Sequence, residues 1–355
     1  MIKTLARSVR EYKLPALLSP VCMVGEVAME VLIPLVMAKL YDFGIEQQNM
    51  TVVVQQSVLL MLLAVISLGF GCASVWGKSL ITDQQATELF EQAYSLGIRY
   101  FDTGYSYGLA EGRIGKILKE SSLVRREELV ISTKFGTKVE HGRYFHDFTP
   151  QWVFPSVESS LRTMGLEYVD LVMVHGPQIA DLTPQYLKEI HRLKEEGLAK
   201  AVGVNTFDTD VLEYIRDTQC VDFVMPDYNI MRQDREVLLS QLHEKGIGVI
   251  AGAPLAESLY TNRVFKIRKP KDLWYLARAL ANHRGKIIQG QKYRFVNNVP
   301  GMTGAQVVLR YVLDNPNVTS AVFGCTTPSH LSDNAKAADI TLPPDVTARI
   351  KNAEK

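Results

Sequence analysis

Four side chains could act together in a proton transfer: Asp102, Tyr107, Lys134 and His175. Asp102 and Tyr107 lie in FDTGYSYG, Lys134 lies in ISTKFG, and His175 lies in VMVHGP. A free tyrosine has a pKa of about 10, and a neighbouring ammonium favours the phenolate and lowers that value. The set therefore predicts Tyr107 as a general acid or base tuned by Lys134, with Asp102 holding Lys134 and His175 orienting a substrate oxygen. A hydride would have to come from a cofactor, because no side chain carries one.

The elements that must position these residues alternate along the chain. Short apolar runs such as LVIST, VDLVMVH and AKAVGVN are separated by amphipathic helical patterns. Counting LGFGCAS at residues 68–74 gives eight strands, which predicts an α/β fold, a (β/α)₈ TIM barrel. Asp102, Lys134 and His175 then stand at strand ends. The helices are expected at 83–96, 152–164, 185–196, 210–218, 235–245 and 305–314.

Two structural alternatives remain open at this stage. A doubly wound sheet is disfavoured because no GxGxxG follows the first strand. Taken singly, an Asp after a strand is often a helix cap, a Lys at a strand end is often a solvated loop residue, and a Tyr or His there often only packs or bonds the backbone. Four such residues at the ends of successive βα units favour a catalytic site instead.

These motifs resemble the aldo-keto reductases over residues 68–355. SVESSLRTMGLEYVDLVMVH, LKEEGLAKAVGVNTF and GCTTPSHLSDN match as well, and TKVEHGRYFHDFTPQWVFPSVESSL resembles the L-galactose and L-fucose dehydrogenase-like branch. The resemblance implies that Asp102, Tyr107, Lys134 and His175 form the family's tetrad. It also implies NAD(P) as the cofactor and a small carbonyl or sugar as the substrate, with Tyr107 as the general acid or base.

The resemblance also assigns cofactor positions. Asn205 and Thr206 stand where the family binds the carboxamide, Met225 replaces a glutamine, and Gly252 replaces an aromatic that stacks on nicotinamide. Loss of positive charge at Gly324 and His330 favours NAD, with NADP left open. The remaining implied contacts are Gly71, Cys72 and Ala73 after the first strand, and Cys325, Thr326, Asp333 and Asn334 at the adenosine end. The backbone of Gly252–Ser258, which includes Ala253, Pro254, Leu255 and Ala256, is expected to surround the pyrophosphate.

Residues 1–67 differ in character from the rest. Two hydrophobic stretches follow a basic start, and the segment resembles the beginning of an ABC exporter transmembrane domain. This predicts hydrophobic helices as a separate domain, with membrane association through residues 14–67. A pair of carboxylates at Glu26 and Glu30 would share one helix face, either inside a bundle or on an amphipathic surface helix. No GxxxxGK[ST] phosphate loop follows, which argues against a working transporter.

The bulk properties exclude other classes. A net charge of +1 gives no reason to expect nucleic acid as a partner, and no partner protein is evident. The four cysteines have no paired metal-ligand spacing, so we expect free thiols and no metal. We expect the barrel in the cytoplasm, either free or tethered to a membrane. Two functions remain possible for it. One is an NAD(P)-dependent oxidoreductase, and the other is a non-catalytic, cofactor-sensing barrel bound to a membrane partner.

Overall fold

The computed structural model describes residues 67–73, 76–140, 143–261 and 285–353. The hydrophobic helices and the exporter-like segment predicted for residues 1–67 lie outside the described residues, apart from Ser67. Within the described part of the chain, no helix is both long enough and apolar enough to cross a membrane.

Eight parallel strands close into a barrel in the order β1-β10-β9-β8-β7-β6-β3-β2. This confirms the predicted TIM barrel and excludes the doubly wound sheet. The region predicted as the first strand does form a strand, paired in parallel with β10 and β2. The barrel strands are β1 Ser67–Gly71, β2 Tyr100–Asp102, β3 Val130–Phe135, β6 Val169–His175, β7 Ala199–Asn205, β8 Phe223–Met225, β9 Gly248–Ala251 and β10 Ser320–Phe323.

Helices cover the outside of the barrel. Those predicted from periodicity appear within two residues of their expected ends, while α2, α8 and α9 were not predicted. The helices with assigned bounds are α1 Asp83–Ser95, α2 Ala110–Glu120, α3 Pro150–Met164, α4 Pro184–Glu195, α5 Thr209–Thr218, α6 Glu236–Glu244, α7 Gly304–Leu313, α8 Pro328–Ala335 and α9 Pro344–Ala353. Residues 285–292 are helical as well.

An antiparallel hairpin interrupts the alternation after β3. It consists of β4 Thr137–Glu140 and β5 Arg143–His146. All four residues of β5 are exposed. Asp147, the residue after β5, donates its backbone N–H to the carbonyl of Gly136 at 3.0 Å. This bond fixes the base of the hairpin close to the end of β3.

The interior of the barrel follows the two-residue period of its strands. Alternate residues of each strand face inward. A cluster of apolar residues fills this interior: Tyr100, Met173, Phe223, Met225, Ile250 and Val322. The next inward positions toward the carboxyl end carry Asp102 on β2, Lys134 on β3 and His175 on β6, so a packed apolar floor supports the polar residues of the mouth.

Candidate active site

Asp102 and Lys134 form a buried ion pair at the mouth of the barrel. The Nζ of Lys134 donates to both carboxylate oxygens of Asp102, at 2.5 Å for Oδ2, and to the carbonyl of Thr103 at 3.0 Å. All three N–H groups of the ammonium therefore have acceptors. Burial lowers the pKa of Lys134, but the charge of Asp102 and the neighbouring Tyr107 raise it above its usual value. Lys134 is consequently charged at neutral pH.

Tyr107 lies against this pair in the loop between β2 and α2. Its ring centre is 4.9 Å from the Nζ of Lys134. Gly104 makes this approach possible, because a Cβ there would stand 3.3 Å from the Cβ of Lys134 and 3.4 Å from the Cζ of Tyr107. The absence of a side chain at Gly104 thus lets the phenol and the lysine share one wall of the mouth.

The pKa of Tyr107 is raised overall, although Lys134 lowers it as the sequence predicted. Burial raises it most, the ammonium of Lys134 lowers it, and the carboxylate of Asp102 raises it again. Because Asp102 is bonded directly to Lys134, it offsets much of the positive field that Lys134 alone would exert. Tyr107 therefore keeps its proton at neutral pH and is ready to act as an acid.

His175 completes the group at the end of β6. Its ring meets the ring of Tyr107 edge to face, with 6.1 Å between centroids. Its buried Nδ1 has no hydrogen-bond partner among the described residues. Burial, the charge of Lys134 and the neighbouring His146 lower the pKa of His175 to about 4. A neutral imidazole that lines the cavity can donate a ring N–H to a substrate oxygen.

The lowered pKa of His175 has a consequence for stability. Between pH 6.5 and about 4 the unfolded chain binds a proton at this residue that the folded chain does not, so stability falls as the pH falls through that window. The full effect is about 3 kcal/mol, since each pKa unit is worth about 1.4 kcal/mol. We expect His175→Gln to remove this part of the acid destabilisation. Urea unfolding at pH 7.5 and pH 4.5 would measure it.

The matched control for that measurement is exposed His243 on α6. His243→Gln should leave the difference between the two pH values as in the wild type. An equal acid loss in His175→Gln and wild type would show that His175 does not contribute to it.

A cavity of about 570 Å³ opens beside the four residues, within the range of about 300–1,000 Å³ typical of small-molecule sites. Nine of the residues predicted for the cofactor line this cavity together with Asp102, Tyr107, Lys134 and His175. They are Gly71, Ala73, Asn205, Met225, Gly252, Ala253, Pro254, Leu255 and Gly324. The further lining residues Phe207, Glu257, Ser258, Val322 and Phe323 include three that sequence reasoning missed: Phe207, Val322 and Phe323.

The missed residues had a detectable signal. Val322 and Phe323 end the eighth barrel strand, and strand ends were the criterion used for Asp102 and His175. Phe207 lies two residues after the end of β7 and is 55% exposed, which is unusual for an aromatic side chain. Its backbone is held in place, because the Nη2 of buried Arg235 donates to the carbonyl of Phe207 at 2.6 Å.

The polar contacts around Asn205 fit the binding of an amide. Its Nδ2 donates to the carbonyl of Met225 at 2.8 Å, which leaves the side-chain oxygen available. Thr206 differs from the expectation, because it is buried and does not line the cavity. Its Oγ1 accepts from the backbone N–H of Asp208 at 3.1 Å, so this hydroxyl stabilises the turn after β7.

The loop after β9 borders the cavity in an unusual conformation. Ala253, Ala256, Glu257 and Ser258 all have positive φ angles, between 46° and 59°. Such angles cost non-glycine residues of the order of 1 kcal/mol each and cluster at ligand sites. The backbone N–H of Ser258 is used within the loop, on the carbonyl of Leu255 at 2.8 Å.

Several predicted cofactor residues lie outside the cavity. Cys72 is fully buried and donates its backbone N–H to the carbonyl of Asp102, while Ala256 and Cys325 are also buried. Thr326 and His330 are exposed near or on α8. Asp333 pairs with Lys336 at 3.2 Å, and Asn334 is buried. Their contacts with the adenosine end of a dinucleotide stay a prediction.

Across the ranges that the structure describes, no group of three or more His, Cys, Asp or Glu residues could hold a metal ion.

The sequence of the barrel matches the model of the Aldo/keto reductase family over residues 67–355. The chain belongs to the aldo/keto reductase family. Among curated relatives, L-glyceraldehyde 3-phosphate reductase of Escherichia coli (strain K12) is 28% identical over 276 residues, covering 70% of this chain and 77% of the relative. L-galactose dehydrogenase of Arabidopsis thaliana is 28% identical over 293 residues, covering 78% and 85%.

A solved structure supports the fold. The holo form of an aldo-keto reductase from Bacillus halodurans superimposes with a TM-score of 0.67 at 23% identity, covering 81% of this chain and 92% of that one. The present chain is therefore an oxidoreductase that interconverts a carbonyl and an alcohol with a nicotinamide cofactor.

Proposed function

We propose that Tyr107 is the general acid and base of this aldo/keto reductase. The observation that carries the proposal is the contact of its ring with Lys134, whose charge is held in place by Asp102. During reduction, the phenolic proton of Tyr107 moves to the carbonyl oxygen as the carbonyl carbon becomes an alcohol carbon. His175, which is neutral and lines the same cavity, would donate a ring N–H to the same oxygen. The nicotinamide, when bound, supplies or takes up the hydride.

Different residues along the cavity are available for different parts of the dinucleotide. Asn205 would hold the carboxamide, and the loop from Gly252 to Ser258 would lie along the pyrophosphate. Apolar contacts at Met225 and Phe207 would pack on the ring next to Tyr107. The position of these residues along one 570 Å³ cavity beside Tyr107 supports the assignment.

The substrate we propose is an aldose or another small hydroxylated aldehyde. The hairpin at the mouth brings polar and aromatic groups close to His175, and His146 lies near enough to lower the pKa of His175. Tyr144 and Phe145 of β5 add exposed aromatic faces to this hairpin. Aromatic faces beside polar groups suit a sugar. The names of the two curated relatives point to the same class.

The direct test uses the full chain with NADH and NADPH that carry deuterium at the transferred position. Deuterium in the alcohol product of glyceraldehyde or methylglyoxal would establish hydride transfer. Oxidation of L-galactose would be assayed in the opposite direction. A chain that binds either dinucleotide but labels no product would instead favour the cofactor-sensing barrel, the weaker candidate given an intact Asp102–Lys134 pair beside Tyr107.

We further propose a preference for NAD over NADP. The position of Gly324 offers no positive charge for a 2′-phosphate, and an added side chain there meets only the carbonyl of Gly71, at 3.8 Å. We expect Gly324→Lys with His330→Arg to tighten NADPH binding roughly ten-fold, the value of one or two charge-assisted hydrogen bonds. NADH binding should change little. Fluorescence titration of both dinucleotides measures this.

The control for this titration is Gln84→Lys, an added charge on exposed α1. If the double variant gained equally for NADH and NADPH, the new charges would be acting on the shared diphosphate and the assignment would be wrong.

The division of the chain into residues 1–67 and a barrel from residue 68 is also proposed. A family match that begins at residue 67 supports it. Partition of the full chain and of a variant lacking residues 1–66 between vesicles and buffer would test the predicted membrane association.

A further inference from the structure

A chain of hydrogen bonds runs from Asp102 down into the apolar floor of the barrel. The hydroxyl of Ser132 lies 2.7 Å from Oδ1 of Asp102, and the hydroxyl of Tyr100 lies 3.0 Å from the hydroxyl of Ser132. Both residues are buried, Ser132 completely. We infer that Ser132 and Tyr100 are positioning residues, which act through Asp102 and Lys134 on the proton transfer of Tyr107.

The strand register brings these groups together. Asp102 and Ser132 are direct partners across β2 and β3. Tyr100 and Asp102 are two residues apart on β2, and Ser132 and Lys134 are two residues apart on β3. Because side chains alternate between the faces of a strand, all four point to the interior. They form three successive levels, with Tyr100 lowest, Asp102 and Ser132 in the middle, and Lys134 highest.

The direction of each hydrogen bond follows from the chemistry of the groups. An ionised carboxylate only accepts, so the hydroxyl of Ser132 must donate to Asp102. The oxygen of Ser132 is then free to accept, and the phenol of Tyr100 donates to it. Burial raises the pKa of Tyr100 well above its usual value, so this phenol remains a donor throughout the working pH range.

These hydrogen bonds reduce the negative charge on the carboxylate of Asp102. Oδ1 of Asp102 accepts from both Lys134 and Ser132, and the donor from Tyr100 polarises Ser132 further. Each donor draws negative charge from Asp102, and the charge of Asp102 raises the pKa of Tyr107. Ser132 and Tyr100 therefore keep the pKa of Tyr107 lower than Asp102 would otherwise leave it, and fix the orientation of the carboxylate toward Lys134.

The apolar surroundings strengthen this effect. Tyr100 packs among Met173, Phe223 and Val322 in the floor, where few other polar groups can replace a lost partner. A hydroxyl in such a place is retained only where it is hydrogen-bonded, because its burial alone is unfavourable.

The test compares Ser132→Ala, Tyr100→Phe and the double variant in the full chain. This inference rests on the proposed role of Tyr107, so Tyr107→Phe is assayed in parallel. We expect kcat to fall about ten-fold in Ser132→Ala and about three-fold in Tyr100→Phe, with the KM for NADH unchanged. The double variant should be no slower than Ser132→Ala, because Tyr100 acts only through Ser132.

A pH profile separates positioning from simple destabilisation. Alcohol oxidation requires the phenolate, and its rate should reach its plateau at higher pH in Ser132→Ala than in wild type. Two matched controls remove a hydroxyl elsewhere. Ser156→Ala acts on buried Ser156 in α3, and Tyr186→Phe removes a buried phenol that has no hydrogen-bond partner among the described residues. Both controls should keep the wild-type rate and profile.

Three outcomes decide the question. A double variant whose losses multiply would overturn the serial arrangement. A Ser132→Ala enzyme with wild-type kcat and pH profile, beside an inactive Tyr107→Phe enzyme, would overturn the inference alone. Full activity in Tyr107→Phe would overturn the proposed function itself. Tyr100→Phe preserves the ring in the floor, so it remains informative if Ser132→Ala folds poorly.

Discussion

Tyr107→Phe is expected to lower carbonyl reduction by about 10²–10⁴-fold while the dinucleotide still binds. The substitution removes only the phenolic oxygen, and the ring keeps its place against Lys134 and Gly104. Bound substrate would then lack its proton donor, because the ammonium of Lys134 is already bonded to Asp102 and Thr103. Steady-state turnover with an aldehyde and fluorescence titration with NADH would measure the two effects separately.

Tyr107 also sets the expected pH dependence of carbonyl reduction and of alcohol oxidation. Because the pKa of Tyr107 is above its usual value of about 10, the acid form persists across neutral pH and reduction should be nearly independent of pH there. Oxidation needs the phenolate, so its rate should rise with pH. Tyr186→Phe serves as the control for loss of a buried phenol. An oxidation rate that falls between pH 7 and pH 9 would contradict the assignment.

The sequence was sufficient to place the candidate residues, because strand periodicity is a local signal. Asp102 and His175 end apolar runs, and parallel strands bring their ends to one mouth. The direction of the net pKa change at Tyr107 could not be predicted from the sequence, because it depends on the balance between burial and two opposite charges at short range. Ser132 was invisible for a similar reason: only the register of β2 with β3 sets it opposite Asp102.

Other differences between the predicted and the observed structure arise where the local sequence signal is weak. The hairpin β4–β5 carries an alternation too polar and too short to stand out from a loop. Helix α2 lacks a side-chain cap at Leu109 and contains two glycines, which are poor helix formers. Thr206 follows Asn205 directly, yet the turn after β7 turns its hydroxyl to the backbone rather than to the cavity.

Asp102→Ala should be the most destabilising single change at the mouth, by about 3–5 kcal/mol. The side chain of Lys134 is 1% exposed, so removal of its partner leaves an ammonium without a counter-charge in an apolar surrounding. Lys134→Met should destabilise as well, because the carboxylate of Asp102 then loses its strongest donor. Both variants should lose reduction activity, and urea unfolding at pH 7.5 would measure their stability.

The combined variant Asp102→Asn with Lys134→Met separates stability from function. It removes both charges together, and neutral replacement of a buried pair is often neutral or stabilising relative to loss of one partner. We therefore expect it to regain most of the stability lost in either single variant, because the hydroxyl of Ser132 can still donate to the amide oxygen. Its activity should stay low, since no ammonium then lies against Tyr107. Recovery of activity together with stability would mean that the pair serves folding alone.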